Sequence, residues 1–459
     1  MSVGITIDMR KTDYLVLKAP IVLFATGGVA DPTASGGERS CGSRIGEPAR
    51  ASSVQTESPR VQLLALRSPD RAAHWPERRL PRVRRVLYLV GAIVFVDTMF
   101  FAALTPLLPQ YAAEFGIGKT GWGLLQAAYP AGALVGAIPS GMVAARTGVK
   151  PTVIVGLCCI ALTSTAFGFA DSVWQLDLAR FAQGLASSFS WTGALAWLVA
   201  AAPPGRRGAL IGTAFGLAIG GALCGPILGG IASIAGTGRT FTAVAVIALL
   251  QGLWAWRTPA VTPERPQPVS RLFRAMRTPH VATGIWFVLL PGVLFGTLGV
   301  LAPVRLYELG FGALAIGATW LTSAACEAFV SPTVGHLSDR VGRTLPLRYG
   351  LAASTIVLLI LPWPSNRYVL AFVVVCAGIS FGTFFTPAMS ILSDAAEEQE
   401  LDYGYGMALI NLAWAPGQAA GAAAGGRVAA ATADAVPYLT LSGLCALTLA
   451  ALWRSRSSS

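Results

Sequence analysis

The sequence predicts an all-α integral membrane protein in which twelve transmembrane helices form two pseudo-symmetric six-helix bundles. Three observations carry this expectation. Hydrophobic residues make up 54% of the 459 positions and charged residues only 12%, against roughly 25% charged residues in an average soluble chain. From Val86 onward, apolar runs recur, each of about twenty residues and so long enough to cross a ~30 Å hydrocarbon core as a helix. Finally, one loop pattern occurs twice at an offset of 194 residues, as Gly141-Met142-Val143-Ala144-Ala145-Arg146-Thr147-Gly148-Val149-Lys150 and as Gly335-His336-Leu337-Ser338-Asp339-Arg340-Val341-Gly342-Arg343. Repetition at that period marks a duplicated bundle.

Taken in order, residues 1–80 are rich in Gly, Pro, Ser, Arg and Ala without sustained periodicity. The apolar stretch Tyr14 to Ala30 is broken by Lys18, Pro20, Gly27 and Gly28 and lacks the layout of a signal peptide. We expect disorder here. The alternative is a start site assigned too far upstream, which N-terminal sequencing of the native protein would show as a first residue near 80. Six spans follow, at about 86–108, 122–143, 151–170, 174–200, 208–233 and 240–256, giving a first bundle over 84–256. The polar segment 257–280, with Pro259, Pro263, Pro266 and Pro268, then separates them from six more at about 281–304, 313–335, 346–363, 367–391, 404–427 and 436–453, a second bundle over 281–455. Such a linker lets two bundles rock against each other.

The formal charge of +12 raises nucleic acid as a partner, but the basic residues lie on alternate loops. Arg78, Arg79, Arg82, Arg84 and Arg85 precede the first span, and Arg146, Lys150, Arg206, Arg207, Arg257, Arg265, Arg271, Arg274, Arg277, Arg340, Arg343, Arg348, Arg454 and Arg456 continue the same side. The opposite loops hold Lys119, Arg239, Arg305, Arg367 and Arg427. This is the positive-inside bias, so both termini are expected in the cytoplasm, with a lipid bilayer and not nucleic acid as the partner. Six of the seven cysteines fall inside spans and read as small packing residues, not as a metal site or disulfide framework.

Inside the membrane the repeat extends to glycines. Gly221-x-x-x-Gly225-Pro226-x-x-Gly229-Gly230 recurs 196 residues later as Gly417-x-x-x-Gly421-Ala422-x-x-Gly425-Gly426, and Gly184 matches Gly378. Small residues four apart let helix backbones approach closely in lipid; Pro226 removes a backbone donor, so the fifth span is expected to bend. Three ionisable residues lie within spans: Asp97 near the middle of the first, Arg180 in the outer part of the fourth and Glu327 near the middle of the eighth. A charge at mid-bilayer costs on the order of 2.5–3.5 kcal/mol, so such groups face a cavity or a partner. One reading of the two acids is proton exchange, because a carboxyl out of water prefers its neutral form and an approaching cation reverses that preference; the other is a neutral or permanently paired acid that stabilises helix contacts. Arg180 either positions the protonation site or is a structural tether. Gln183 and Asn411 are the favoured polar contacts for a substrate, and Phe100, Phe101, Tyr129, Trp191, Trp286, Trp320, Phe384, Phe385 and Trp414 are candidates to line an apolar cavity. At the cytoplasmic side the acidic segment Asp394, Glu397, Glu398, Glu400 and Asp402 is expected to approach Arg146 and Lys150 when that side closes, with Asp339 facing the start of the fifth span near Arg206 and Arg207.

On these residues the chain resembles the major facilitator superfamily, and within it the twelve-helix drug:proton antiporter branch, over residues 84–455. That superfamily's loop motif is Gly-x-Leu-x-Asp-Arg-x-Gly-Arg, which Gly335 to Arg343 fits throughout; Ala145 replaces the aspartate in the first copy. Arg180-x-x-Gln183-Gly184 resembles its proton-linked motif and Gly221 to Gly230 its antiporter motif. Asp97-Thr98-Met99 followed by Pro106-Leu107-Leu108-Pro109 is similar to the vesicular amine transporters and related bacterial multidrug exporters, which makes Asp97 a candidate for a cationic substrate or a proton. Two acidic positions of those amine transporters correspond here to Ala302 and Asn411.

The resemblance implies proton-coupled export of a small organic compound, by a monomer in the plasma membrane that needs no cofactor and is not an enzyme. Uptake or facilitated diffusion of a sugar-like metabolite is an alternative on the same fold, and a non-transporting sensor or assembly subunit is another. An ATP-driven pump is disfavoured: Gly118-Lys119-Thr120 has Ala113 where a phosphate loop needs glycine.

Overall fold

A computed structural model describes residues 80–202, 207–259, 267–401 and 403–457. The leader and both readings of it, the middle of the linker, Arg206 and Asp402 lie outside the described residues, as do the side chains of Arg207 and Asp339.

Among the described residues the regular elements are helices: α1 (Leu80–Ala102), a 3-10 turn (Thr105–Leu107), α2 (Leu108–Phe115), α3 (Lys119–Thr147), α4 (Val149–Gly168), α5 (Val173–Ala201), α6 (Arg207–Ala235), α7 (Thr237–Arg257), α8 (Val269–Met276), α9 (Pro279–Glu308), α10 (Ala313–Val341), α11 (Thr344–Ile360), α12 (Arg367–Glu398), α13 (Tyr403–Ala431) and α14 (Ala435–Ser457). Among the described residues ten helices are long and apolar enough to cross a bilayer. The 17-residue α11 and the Ala- and Gly-rich α13 complete the expected twelve. The first span is not one helix: α1 ends at Ala102, and Pro106 and Pro109 restart the chain as a 3-10 turn and then α2, because proline offers no donor to a continuing ladder but suits a first turn. By contrast, α6 runs unbroken through Pro226.

The two halves repeat one packing scheme. In the first, α1 packs on α6, α3 on α5 and α4 on α5 and α7; in the second, α9 packs on α13, α10 on α12 and α11 on α12 and α14. Across the halves, α3 meets α13 and α6 meets α10. Leu162, Ile234, Phe329 and Leu447 are 70–79% exposed on their helices, an outward apolar surface that lipid, not water, accommodates. The chain is a multi-pass membrane protein.

The loop motifs share one end of the molecule, called here the motif end. In both copies the helix stops at a glycine with positive φ, Gly148 at 96° and Gly342 at 85°, a conformation that side chains other than glycine adopt at a cost. The linker is not a bare loop. It carries α8, whose Leu272 is fully buried in the second bundle's core. Arg271 pairs with Glu400 at 3.0 Å, and the Tyr405 hydroxyl donates to the Gln267 carbonyl at 2.9 Å.

Candidate functional site

The candidate site is built where α1, α3 and α5 converge. Two glycines bring the backbones of α3 and α5 together: a Cβ on Gly184 would run into the Tyr129 carbonyl, and one on Gly132 into the Phe181 carbonyl. The contact places Tyr129 of α3 beside the α5 face that carries Arg180, Gln183 and Ser187, residues spaced three and four apart and therefore on one side of the helix. Asp97 of α1, 6% exposed, faces this group. Its Oδ2 accepts hydrogen bonds from the Ser187 hydroxyl at 2.6 Å and the Tyr129 hydroxyl at 3.3 Å.

Arg180, 1% exposed, forms no ion pair within 4 Å among the described residues. Its guanidinium donates to Gln183 Oε1 at 3.1 Å and to the Phe101 carbonyl at 3.1 Å. Its Cζ lies 4.9 Å from the Tyr129 ring centre and 5.8 Å from those of Phe100 and Phe167, which is cation–π range. Gln183 passes the chain on, donating to the Thr163 carbonyl of α4 at 3.2 Å. Tyr129 thus stands between the two charges, its hydroxyl on the carboxylate and its ring face under the cation. Sequence reading left a permanent Asp97–Arg180 pair open; the arrangement here is mediated instead. The sequence does not single out Ser187: its spacing sets it on the Arg180–Gln183 face, but the neighbouring Ser188 and Ser190 blur that signal.

Of the aromatic candidates, Phe101, Tyr129 and Trp414 come together, with ring centres 4.9 Å and 5.8 Å apart, and join α1, α3 and α13 across the bundle interface. Phe100 packs edge-on against Phe241 and Trp191 against Phe215. Phe384 is fully buried in the second bundle's core, where Phe385 and Trp320 pack, and Trp286 is 38% exposed. These six do not join the cluster because their helical faces point into one bundle or outward. Asn411 is half-buried on α13.

Glu327 is half-buried on α10 and has no hydrogen-bond or ion-pair partner among the described residues. It lies against Gly382 of α12, where a Cβ would stand 2.6 Å from its Cγ and Oε1. The positions 194 residues earlier are Ala133 and Ser188, with the Ser188 hydroxyl donating to the Ala133 carbonyl at 2.8 Å. Large and small have exchanged sides between the halves, so Gly382 makes the space that Glu327 fills.

The glycine combs occupy equivalent seams. Gly221 and Gly225 of α6 face Phe95 and Met99 with Ala102 of α1, and Gly229 faces Ala103 just past its end; Gly417, Gly421 and Gly425 of α13 face Leu289, Val293 and Thr297 of α9. Each seam carries one threonine bond between helices, from Thr98 to the Ala218 carbonyl at 2.8 Å and from Thr297 to the Gly421 carbonyl at 2.9 Å. The last glycine of each comb reaches the other bundle: Gly230 lies under Leu314 of α10, and Gly426 lies on Lys119 and Gly123 of α3.

At the motif end, Gly141 is within van der Waals reach of Gly404 and Tyr405, while Arg146 is exposed and Lys150 half-exposed, neither forming an ion pair among the described residues. The acidic segment takes partners in its own half instead: Asp394 with Arg343, Glu398 with His280 at 3.2 Å and Glu400 with Arg271 at 3.0 Å. Helix α8 supplies one of these bases and was not foreseen. Arg340 is exposed.

Comparison with known proteins agrees with this architecture. The Major Facilitator Superfamily model matches residues 90–422 and 321–459. The synaptic vesicular amine transporter of Homo sapiens is 25% identical over 299 residues, 63% of this chain and 58% of that one, so the match spans less than two thirds of that relative's length. Multidrug resistance protein MdtG of Dickeya zeae is 26% identical over 333 residues, 67% of this chain and 79% of its own. A crystal structure of nucleoside transporter NupG superposes with a TM-score of 0.65 over 80% of this chain and 99% of that one at 13% identity, a likeness of fold. With a duplicated twelve-helix architecture, paired loop motifs and a family model that spans most of the chain, this protein belongs to the Major Facilitator Superfamily.

Proposed function

We propose that the protein is a secondary active transporter that exports small organic compounds in exchange for protons, by alternating access between its two bundles. The motif end faces the cytoplasm, both termini lie there, and a monomer in the plasma membrane is the working unit. The observation that carries this reading is Asp97: a buried acid held by two hydroxyls, with its nearest cation set behind the Tyr129 ring. A carboxyl without a locked ion pair is free to exchange its proton for a cationic or polar ligand. Glu327, without a partner among the described residues, is a second exchangeable acid. Arg180 holds Tyr129 and Gln183 in place, and the aromatic group of Phe101, Tyr129 and Trp414 offers flat apolar surface beside Asp97. The α6 seam around Pro226 seals against proton leak. The names of the vesicular amine transporter and of the multidrug resistance protein support an organic cation as cargo, while Ala302 and Asn411 set this chain apart from the amine branch.

Reconstitution into lipid vesicles tests the reading, with ethidium as probe. An imposed pH gradient is expected to drive ethidium movement, and Asp97→Asn to abolish it. Equal flux with and without the gradient points to a facilitator, and no movement of any tested compound points to a sensor; either outcome sinks proton-coupled export.

A further inference from the structure

We propose that Lys119 latches the end opposite the loop motifs, holding the two bundles together there, and that unpaired amides in the seam beneath oppose the closure it makes. Lys119 opens α3 in the first bundle, and its Nζ sits 2.6 Å and 2.8 Å from the two carboxylate oxygens of Asp434, in the turn before α14 of the second bundle. Glu308, at the end of α9, is 3.9 Å from the same ammonium and is held by Arg305 at 3.1 Å. One cation of the first bundle is therefore gripped by two acids of the second. The backbones below fit closely, with Gly426 on the Lys119 carbonyl and Gly123 on the Ala422 carbonyl.

Under this tight mouth the seam is not satisfied. Among the described residues Gln126, 4% exposed, and Gln418, 5% exposed, each bury a side-chain oxygen without a hydrogen-bond partner, and Trp122 buries an Nε1 without one. Buried polar groups are normally paired, and an unpaired one favours any state that returns it to water or to a ligand. Opening the mouth breaks the Lys119 pairs but hydrates these three atoms. The opposing contributions keep the closed state from becoming a dead end. Lys119 and Asp434 are about a quarter exposed, at 25% and 27%, and a cavity of about 370 Å³ lined by Lys119, Arg305, Thr432, Asp434 and Tyr438 lies beside them, so water is at hand when the pair parts.

The inference rests on the alternating opening of the bundles but not on proton exchange, and its test reads geometry instead of flux. Spin labels carried by unnatural amino acids at Asp171 and Ser365, in exposed loops of the two bundles at this end, report the open and closed populations of the full chain in lipid nanodiscs. Lys119→Ala and Asp434→Asn are each expected to raise the open-to-closed ratio roughly fivefold, the scale of a well-formed, partly exposed pair. The exchanged pair Lys119→Asp with Asp434→Lys should restore the parent ratio, and Gln126→Leu with Gln418→Leu should lower it about tenfold. Folded Lys119 and Asp434 variants whose label distances match the parent's would overturn the latch, as would failure of the exchanged pair to restore it. If distances respond as stated while ethidium flux ignores the pH gradient, the latch stands and the proton-exchange reading falls.

Discussion

Ser187 and Tyr129 decide what Asp97 can do. Both donate to the same carboxylate oxygen, Ser187 at 2.6 Å and Tyr129 at 3.3 Å, so their removal should not be equivalent. A hydrogen bond to a charged group is worth about 1.5–3 kcal/mol, which is roughly tenfold to a hundredfold in an equilibrium. We expect Ser187→Ala to lower gradient-driven ethidium flux about tenfold and Tyr129→Phe to lower it less, because Phe keeps the ring beneath Arg180; flux measured across pH on the two variants ranks them. Arg180→Lys should not rescue function. A lysine cannot reproduce the planar stack on Tyr129 together with two directed hydrogen bonds, and we expect a lower unfolding temperature in detergent as well as lost flux. Asp97, Arg180 and Gln183 were legible in the sequence because charge and amide stand out in an apolar span. Ser187 was not, since Ala186-Ser187-Ser188-Phe189-Ser190 offers three serines and no reason to choose among them until α1 supplies the acid.

At the scale of helices, the glycines separate into those that hold seams and those that do not. Gly221 and Gly225 leave no room for a Cβ against α1, and Gly417 and Gly421 none against α9, whereas Gly216 has nothing within 4 Å. Substitution to alanine therefore changes sign along one helix. Gly221→Ala is expected to destabilise the protein by about 1–3 kcal/mol through overpacking, while Gly216→Ala should be neutral or stabilising by up to ~1 kcal/mol, since alanine loses less freedom in a helix; thermal unfolding of the pair checks the contrast. Gly382→Val should act differently again, displacing Glu327 without touching an acid. We expect Gly382→Val and Glu327→Gln to lower gradient-driven flux alike, with the fold retained by circular dichroism. The combs were visible as spacing, but which glycine faces which neighbour depends on helix rotation, and spacing alone leaves that rotation open.

For the whole molecule, the contacts between bundles differ along their length. At the end carrying Lys119, Gly123 meets Ala422, Gly230 meets Leu314 and Gly317 meets Pro226, while toward the loop motifs Gly212 of α6 and Gly335 of α10 have nothing within 4 Å. Close backbone contacts of α6 and α10 across the bundles thus gather at the end carrying Lys119, and Gly212 and Gly335 take no part in them. In a background without native cysteines, Gly123→Cys with Ala422→Cys should cross-link on mild oxidation and arrest ethidium flux until reduced, and Gly212→Cys with Gly335→Cys should not cross-link in the resting protein; gel mobility after oxidation reads both.

Sequence alone determined the membrane, the twelve helices, the duplication and the ionisable groups that lipid makes expensive, because hydropathy and spacing are properties of a chain read along its length. The tertiary structure decided the rest. It set Tyr129 between Asp97 and Arg180, gave Asp394 to Arg343, fastened α8 to the second bundle and brought Lys119 to Asp434 across 315 residues of chain. Those pairings depend on how far each helix is turned about its axis and which helix lies next to it, and both follow from the packing of all the helices together.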